Sequence, residues 1–383
     1  KLNVPNLRFP EFQGEWEKCK LGDYGKVVTG NTPPTKDIEN YENGTYLWAS
    51  PADLGIIKSI TETKTMLSVK GFSKTRTLPK GSVLVTCIGS TIGKTGMATK
   101  EMSTNQQINS IVVNDNNDNE FVYYAIQSAF PRYLSSIAVQ AVPIISKSAF
   151  ELLPNKRPCL QEQKRIGKFL SLLDERISTQ NKIIDKLQSL IKGIVDCTIL
   201  RKEKNAIVGD VCSISEQIRA EANIDDIITV RLHGNGVCKS SAENLQLGAT
   251  QYYRRRAGQL IYGKQNFHNG AIGIVPISLD NGITSKDIPS FDIDEMKCNS
   301  VYLLAQLQSP QYYKPAEALT TGTGSKRLKE ETFLKMPIVL PNKREQDNIA
   351  VLIHRASMNL DHAKRLLELL SIQKQYLLRQ MFI

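Results

Sequence analysis

The sequence contains a long internal repeat, and this repeat limits the possible folds more than any other feature. Residues 150–154 match residues 333–337, and residues 158–166 match residues 341–349, at one constant offset and without insertion or deletion. Upstream of these matches the two halves share only short glycine-containing motifs and otherwise diverge. The repeat therefore predicts two dissimilar globular domains, each followed by a similar segment.

Each similar segment begins with Pro-x-x-x-Glu-Gln-x-x-Ile and continues with apolar residues at alternating steps of four and three. This spacing is the heptad pattern of a helix that packs against another helix. Each helix is predicted to contain about 40 residues, which is about 60 Å at the usual rise. Neither helix can bury such a seam alone, so we expect the two to pair. The predicted seam consists of Ile166, Leu170, Leu173, Ile177, Ile184, Leu187, Ile191, Ile349, Ile353, Leu360, Leu367, Leu370 and Leu377.

The two globular parts contain short apolar runs separated by frequent turn signals, which is typical of sheets with short strands. Amphipathic helices are predicted at residues 120–127 and 300–308. These elements favour an α+β fold with a mixed or antiparallel sheet in each half. The predicted globular domains are residues 1–155 and 205–338, and the predicted long helices are residues 156–204 and 339–383. The candidate strands are residues 25–29, 83–88, 109–113, 227–231, 259–262 and 271–275.

Composition narrows the classes of partner and of binding site that we expect for this chain. Lys and Arg total 49 against 38 Asp and Glu, so the net charge is +11 and favours an anionic partner such as nucleic acid. The seven cysteines are scattered without a CxxC pair, and the four histidines form no HExxH motif, which disfavours a disulfide framework and predicts no metal site. We expect a reducing, cytoplasmic setting and no signal peptide. We also expect no membrane segment, since no apolar run approaches the roughly 18 residues that a spanning helix needs.

Two motifs resemble catalytic signatures but fail on spacing. Residues 89–95, Gly-Ser-Thr-Ile-Gly-Lys-Thr, have three residues between the glycines, whereas a P-loop needs four, and no helix is expected to follow, since Gly96 comes next. Asn31–Pro34 resembles the methyltransferase motif Asn-Pro-Pro-aromatic, but its order differs and no aromatic residue follows, so we interpret it as a turn. Neither motif therefore supports a nucleotide site or a methyl-donor site.

Cationic, amide and aromatic side chains cluster in both halves. Arg and Lys bind phosphates, Asn and Gln can pair with adenine, and Arg can pair with guanine. A solvated strand-and-loop face is the alternative explanation for any one of these residues. The predicted DNA-contacting residues are Lys74, Arg76, Thr91, Lys94, Asn105, Gln106, Lys147, Tyr252, Arg254, Arg256, Lys264, Gln265, Asn266, Lys326 and Arg327.

The whole arrangement resembles the specificity subunit of type I DNA restriction-modification systems. Two dissimilar domains alternate with two similar helices, and both helices open with the same motif. The residues that carry the resemblance are Pro158, Glu162, Gln163 and Ile166 in the first copy, Pro341, Glu345, Gln346 and Ile349 in the second, and the weaker markers Gly81, Gly93, Gly258 and Gly273.

The resemblance implies two target recognition domains, each reading one half of a bipartite, asymmetric double-stranded DNA site. It implies that the helices pair as an antiparallel coiled coil that acts as a spacer, and that the subunit is non-catalytic. It further implies a complex with two adenine-N6 methyltransferase subunits and with restriction subunits that are translocases. No cofactor is then expected in this chain, and S-adenosylmethionine, ATP and Mg belong to the partner subunits. Lys374 departs from the apolar seam and predicts either a local break or a partner contact.

Two alternatives of a different class stay open at this stage. The weaker is an enzyme that acts on DNA through the loop containing Lys94. A coiled-coil scaffold or adaptor without DNA sequence specificity would show the same helices and the same basic excess.

Overall fold

The computed structural model describes residues 3–55, 57–136, 144–240, 250–322 and 326–383. The chain forms two compact units. Unit 1 comprises Lys1–Asn181 and Arg365–Ile383, and unit 2 comprises Lys182–Lys364. Each unit therefore contains one globular part together with a portion of each long helix. No helix in the described ranges combines the length and apolarity needed to cross a bilayer.

Both globular parts combine helices with sheet, as the sequence predicts. The first long helix ends at Val195, and a π-helical turn, Asp196–Leu200, continues it. The helices are α1 (Val69–Ser73), α2 (Asn119–Ser136), α3 (Lys147–Leu152), α4 (Leu160–Val195), α5 (Ser300–Leu307), α6 (Pro310–Tyr313), α7 (Glu330–Leu334) and α8 (Lys343–Met381).

The strands are short, with two to six residues each. Those of unit 1 are β1 (Glu17–Lys20), β2 (Gly25–Thr29), β3 (Tyr46–Ala49), β4 (Ser59–Ile60), β5 (Thr65–Leu67), β6 (Thr77–Leu78), β7 (Val83–Thr86), β8 (Thr95–Ala98), β9 (Met102–Thr104), β10 (Ile108–Val113) and β11 (Pro154–Arg157). Those of unit 2 are β12 (Ala206–Ile207), β13 (Cys212–Ile214), β14 (Arg219–Ala220), β15 (Ile228–Val230), β16 (Val237–Lys239), β17 (Tyr252–Arg254), β18 (Leu260–Tyr262), β19 (Ile272–Ile274), β20 (Ile283–Ser285), β21 (Ser290–Ile293) and β22 (Pro337–Ile338).

Unit 1 has two main sheets. One has the order β2-β10-β7-β8-β4 and the other the order β5-β3-β9-β6, each mostly antiparallel with one parallel pair. Apolar side chains from both sheets, among them Leu47, Leu84 and Ile108, form a small shared core. A larger core joins α2 to the first sheet and to the ends of the long helices in this unit.

Helix α2 is longer than predicted, because it continues past Pro131 to Ser136. Phe130 and Tyr133 remain buried on its apolar face, so packing extends the helix beyond the predicted end.

Unit 2 has a four-stranded sheet of order β13-β21-β18-β19 and a three-stranded sheet of order β14-β17-β20. The core lies against the four-stranded sheet and contains the rings of Tyr262, Phe267, Phe291 and Phe333, with centroid separations between 4.7 and 5.8 Å. The candidate strands at residues 227–231, 259–262 and 271–275 correspond to β15, β18 and β19.

The glutamine of each helix-start motif is buried and attaches its long helix to the adjacent globular part. In unit 1, the Gln163 side chain accepts from the backbone N–H of Asp118 at 3.1 Å and donates to the Pro158 carbonyl at 3.0 Å. In unit 2, Gln346 accepts from the N–H of Asn299 at 2.9 Å and donates to the Pro341 carbonyl at 2.8 Å. The motif is thus a tertiary anchor as well as a helix start.

The two glutamates of the motif differ. Glu162 is fully buried and accepts from the Arg8 guanidinium at 2.8 and 2.7 Å. Glu345 is half-buried and pairs with Lys202. The glutamine is therefore the residue of the motif that makes equivalent hydrogen bonds in both units.

The thirteen predicted seam residues are all buried or half-buried. In unit 1, Leu170 and Leu173 share a core with Leu370 and Leu377. In unit 2, Ile349 and Ile353 share a core with Val195 at the end of α4.

Lys374 neither breaks α8 nor requires a partner chain. The helix continues to Met381, and the Lys374 ammonium lies 2.7 Å from the Asp174 carboxylate of α4. The two side chains are only 16% and 14% exposed. The Tyr124 hydroxyl donates to the same carboxylate at 2.6 Å, and burial together with Asp174 raises the pKa of Tyr124 well above its ordinary value. The polar seam position is therefore satisfied inside unit 1.

We predict that Lys374→Ala lowers the free energy of unfolding by about 3 kcal/mol, because Asp174 would keep its charge in a buried site without a cation. Urea denaturation followed by circular dichroism measures this loss. Arg379→Ala, which removes an exposed cation from the same helix, is the matched control and should change stability by less than about 0.5 kcal/mol. Equal losses for the two variants would contradict the role of the pair.

Candidate nucleic-acid interface

Several polar loops of unit 1 lie at one end of its sheets, because strand register places them there. Thr29, the last residue of β2, lies opposite Asn109, and Thr86, the last residue of β7, lies opposite Ile108. Thr77, the first residue of β6, is paired with Ser103, the residue before the last residue of β9. We call the residues that connect these strand ends, 30–34, 74–76, 87–94 and 105–107, the loop end of unit 1.

Asn31 joins the 30–34 turn to the 74–76 segment of this loop end and to strands β9 and β3. Its side chain donates to the Lys74 carbonyl at 2.9 Å and accepts from the backbone N–H of Arg76 at 2.8 Å. Its own backbone N–H donates to the Thr104 carbonyl at 2.9 Å, and its carbonyl accepts from the Trp48 indole at 3.1 Å. The segment Asn31–Pro34, which the sequence analysis interpreted as a simple turn, therefore holds neighbouring segments of the loop end together. Sequence analysis did not select Asn31 as a site residue.

The predicted residues Lys74, Arg76 and Gln106 come together around this turn. Arg76 is exposed and donates to the Thr29 carbonyl at 2.8 Å, and no carboxylate of the described residues lies within ion-pair distance of it. Gln106 is exposed and contacts the Thr32 hydroxyl. Arg76 thus presents an uncompensated positive charge beside amide and hydroxyl groups that can bond to base edges.

Lys74 is partly committed within the protein. Its ammonium lies 3.1 Å from the Asp37 carboxylate and 2.8 Å from the Asn40 side-chain oxygen. The hydrogen bond from the Lys74 ammonium lowers the pKa of the Asp37 carboxyl below its ordinary value.

The remaining predicted residues of unit 1 flank the same end. Thr91 and Lys94 are half-exposed in the β7–β8 hairpin, whose start is attached to the 105–107 loop by a bond from the Cys87 N–H to the Gln107 carbonyl. Lys147 is exposed at the first position of α3, 3.6 Å from Glu151.

The prediction that Asn105 contacts DNA is wrong, because the surroundings of its side chain leave it inaccessible. Its side chain is only 7% exposed and exchanges two hydrogen bonds of 3.0 Å with Gln107. It shapes the loop, and it does not present its amide to a ligand.

Unit 2 has a corresponding loop end, formed by residues 263–271, 286–289 and 326–328. The hairpin after β18 contains Lys264, Gln265 and Asn266, and its Lys264 N–H donates to the Asp287 carbonyl at 2.9 Å. The Leu328 N–H donates to the Lys264 carbonyl at 2.9 Å, so the segment with Lys326 and Arg327 lies alongside. The structure thus brings these five predicted residues together.

Their accessibility differs. Gln265, Asn266, Lys326 and Arg327 are exposed, and Arg327 lies 3.3 Å from the Asp287 carboxylate. The Lys264 side chain is only 13% exposed and lies 2.6 Å from the Glu330 carboxylate. This ion pair corrects the prediction that Lys264 contacts a ligand directly.

Tyr252, Arg254 and Arg256 are not part of the loop end. Tyr252 is 7% exposed and packs in a small core with Ile227 and Ile283. Arg254 and Arg256 are exposed but lie at the opposite end of β17 and β18, where β17 pairs with the start of β20. Burial therefore corrects the prediction for Tyr252, and strand register corrects it for Arg254 and Arg256.

Arg255 lies between the two misassigned arginines and is fully buried. It bonds to the Thr284 hydroxyl at 2.7 Å, and desolvation by burial lowers the pKa of its guanidinium to about 10. Sequence analysis did not select Arg255, although alternation along β17 was the available signal, because it places Arg255 on the same side as the buried Tyr253.

No catalytic constellation accompanies these loop ends in the described residues. The Gly89–Gly93 turn leads into strand β8 and not into a helix, so the geometry of a P-loop is absent there. No group of three or more His, Cys, Asp or Glu side chains in the described ranges is arranged to hold a metal ion.

Comparison with known proteins identifies relatives of this arrangement. Residues 13–189 match the family described as the type I restriction modification DNA specificity domain. The MjaIX type I restriction enzyme specificity subunit of Methanocaldococcus jannaschii is 31% identical over 183 residues, which cover 45% of this chain and 42% of that protein. The HindI specificity subunit of Haemophilus influenzae is 30% identical over 46% of this chain and 40% of that protein. These two alignments thus span less than half of the relatives' length.

Two further comparisons extend over most of the chain. The MjaVIII specificity subunit of Methanocaldococcus jannaschii is 23% identical over 90% of this chain and 86% of that protein. The crystal structure of the type I restriction-modification S subunit from M. genitalium is 14% identical with a TM-score of 0.68, and the alignment covers 99% of each chain. The latter likeness shows a shared fold.

We predict that Asn31→Ala loosens the loop end of unit 1 without unfolding the unit. Amide hydrogen exchange in peptides covering residues 74–76 should accelerate about fivefold, because one hydrogen bond contributes about 1 kcal/mol. Asn116→Ala, an exposed asparagine at the opposite end of β10, is the control and should leave these peptides unchanged. Unchanged exchange in Asn31→Ala would exclude Asn31 as the link between the segments.

Proposed function

We propose that this chain belongs to the family of type I restriction-modification DNA specificity subunits and that it reads a bipartite, asymmetric site on double-stranded DNA. In this proposal the chain is non-catalytic and directs the methyltransferase and restriction subunits of its complex to that site. Each loop end reads one half of the site.

The observation that carries the proposal is the presence of two loop ends with different exposed side chains. The first exposes Arg76 and Gln106, and the second exposes Gln265, Asn266 and Lys326. Cationic groups can hold phosphates while amides address base edges. Because the two sets differ, the two half-sites should differ, and the complex has one defined orientation on DNA. A scaffold without sequence preference gives no reason for this arrangement, and the matched family is described by DNA specificity.

We further propose that α4 and α8 pair as an antiparallel coiled coil and that the two units form a pseudo-two-fold repeat. Support comes from inside each unit: Asp174 with Lys374 in unit 1, and Val195 with Ile349 in unit 2. The buried Gln163 and Gln346 then attach each globular part to the coil in the same way. A stiff helical pair would hold the two readers at a fixed separation.

The proposed partners are two adenine-N6 methyltransferase subunits and restriction subunits that translocate DNA. S-adenosylmethionine, ATP and Mg would act in those subunits, and none is assigned to this chain. All seven cysteines are free thiols, which suits the reducing cytoplasm proposed as its location.

We predict that exchanging residues 1–155 for those of another member of this family changes only one half-site. Selection of bound duplexes from a random pool, using the co-purified complex, gives the recognised sequence before and after the exchange. The second half-site should remain identical in both selections, because unit 2 is untouched. A simultaneous change in both halves would contradict the assignment of one reader to each half-site.

We predict that a heptad inserted into both α4 and α8 lengthens the gap between the half-sites by about three base pairs. Seven residues add about 10.5 Å, and each base pair spans about 3.4 Å. A chain of unchanged length, in which exposed heptad positions are shuffled, is the control. The same selection reports the gap, and an unchanged gap after insertion would exclude the helices as the spacer.

A further inference from the structure

Arg255 is a buried cation whose hydrogen-bond partners are all neutral. Its guanidinium donates to the Thr284 hydroxyl at 2.7 Å, the Ser290 hydroxyl at 2.9 Å, the Ile288 carbonyl at 2.9 Å and the Gln217 side-chain oxygen at 3.3 Å. The residue is 0% exposed. Four of its five N–H groups are thereby satisfied, so the geometry of the site is specific for the planar guanidinium.

The charge of Arg255 is uncompensated within the described part of unit 2. No carboxylate there lies within ion-pair distance, and the Tyr253 ring lies 5.7 Å from the guanidinium carbon. Nearby carboxylates are committed elsewhere, since Asp287 pairs with Arg327 and Asp292 accepts from Gln259. Burying a cation among neutral acceptors costs stability that a well-packed apolar side chain would not cost.

The partners of Arg255 place it under the loop end of unit 2. Ile288 belongs to the 286–289 loop, Ser290 begins the strand that follows it, and Thr284 belongs to the strand that precedes it. Arg255 therefore binds the loop and both strands that flank it. The same loop accepts the Lys264 N–H through the Asp287 carbonyl, so its position also sets that of the 263–271 hairpin.

We propose that Arg255 is a positioning residue of the second reader, fixing the 286–289 loop in its base-reading conformation and adding its buried charge to the positive field that attracts the DNA phosphates. The inference rests on the proposed DNA-reading function and adds a residue and an electrostatic role to it. Arg255 touches no base. It affects base recognition by holding the 286–289 loop in place and by adding to the positive electrostatic potential at this end of the unit.

Three variants separate this role from a purely structural one. Arg255→Met removes the charge and the hydrogen bonds, Arg255→Lys keeps the charge but loses the fork, and Arg254→Met removes a neighbouring exposed charge at the opposite end. Fluorescence anisotropy with the co-purified complex is measured on three duplexes. They carry the selected site intact, with one half scrambled, or with the other half scrambled, each over a range of salt concentrations.

Arg255→Met should lose at least tenfold in discrimination at one half-site, with discrimination at the other unchanged within twofold. Its slope of log affinity against log salt should fall by less than about one relative to the wild type, because the charge acts through its field and not by contact with a phosphate. Arg255→Lys should lose the same half-site discrimination but keep the wild-type slope, and Arg254→Met should keep discrimination at both halves.

Full discrimination in Arg255→Met, or equal loss at both half-sites, overturns the proposal. If Arg255→Met does not fold, Thr284→Val and Gln217→Met each remove a single acceptor and should weaken discrimination at the same half-site, whereas unchanged discrimination in both overturns the proposal. The proposed function fails separately if the wild-type complex selects no sequence at all.

Discussion

A helix of 36 or 39 residues with a heptad seam cannot bury that seam against itself, and this constraint organises the rest of the structure. Each unit contains portions of both helices, and in each unit seam residues share a core with the globular part. The seam tolerates Lys374 because its ammonium forms an ion pair with Asp174 and lies over the Tyr124 ring, and because both charged side chains are largely buried. Packing, and not helix propensity alone, therefore holds the long helices in place.

The loop ends follow from the same attachment. Gln163 anchors α4 beside the residues that follow β10, and β10 begins at the opposite end of the sheet, next to the loop of residues 105–107. Gln346 has the same relation to the residues that follow β21. In each unit, one end of the central strand is therefore used for attachment and the other is left for loops whose sequence can vary without disturbing the helix. This separation explains why the two halves share their helix-start motifs but differ in their loops.

Sequence analysis located the long helices, the α+β class and six of the strands, because these depend on local periodicity and turn residues. The other short strands carry too few residues for such a pattern. It failed where a contact joins residues that are distant in the sequence. Asn31 gains its importance from its bonds to the 74–76 segment, and Arg255 gains its importance from its bonds to the 284–290 segment. Tyr252, Arg254 and Arg256 were selected for their side-chain types, whereas burial and strand register decide which of them can meet a ligand. Lys264 and Asn105 were selected likewise, and their neighbours Glu330 and Gln107 occupy them.

The most direct test of the account is a genome-wide map of methylated adenines after co-expression of this chain with a neighbouring methyltransferase subunit. If the two loop ends are separate readers held by a spacer of fixed length, as proposed, the map contains one motif with two unlike half-sites separated by a constant gap. A stable complex that methylates no defined motif, or a motif without a gap, would contradict the assignment of the loop ends as two separate readers.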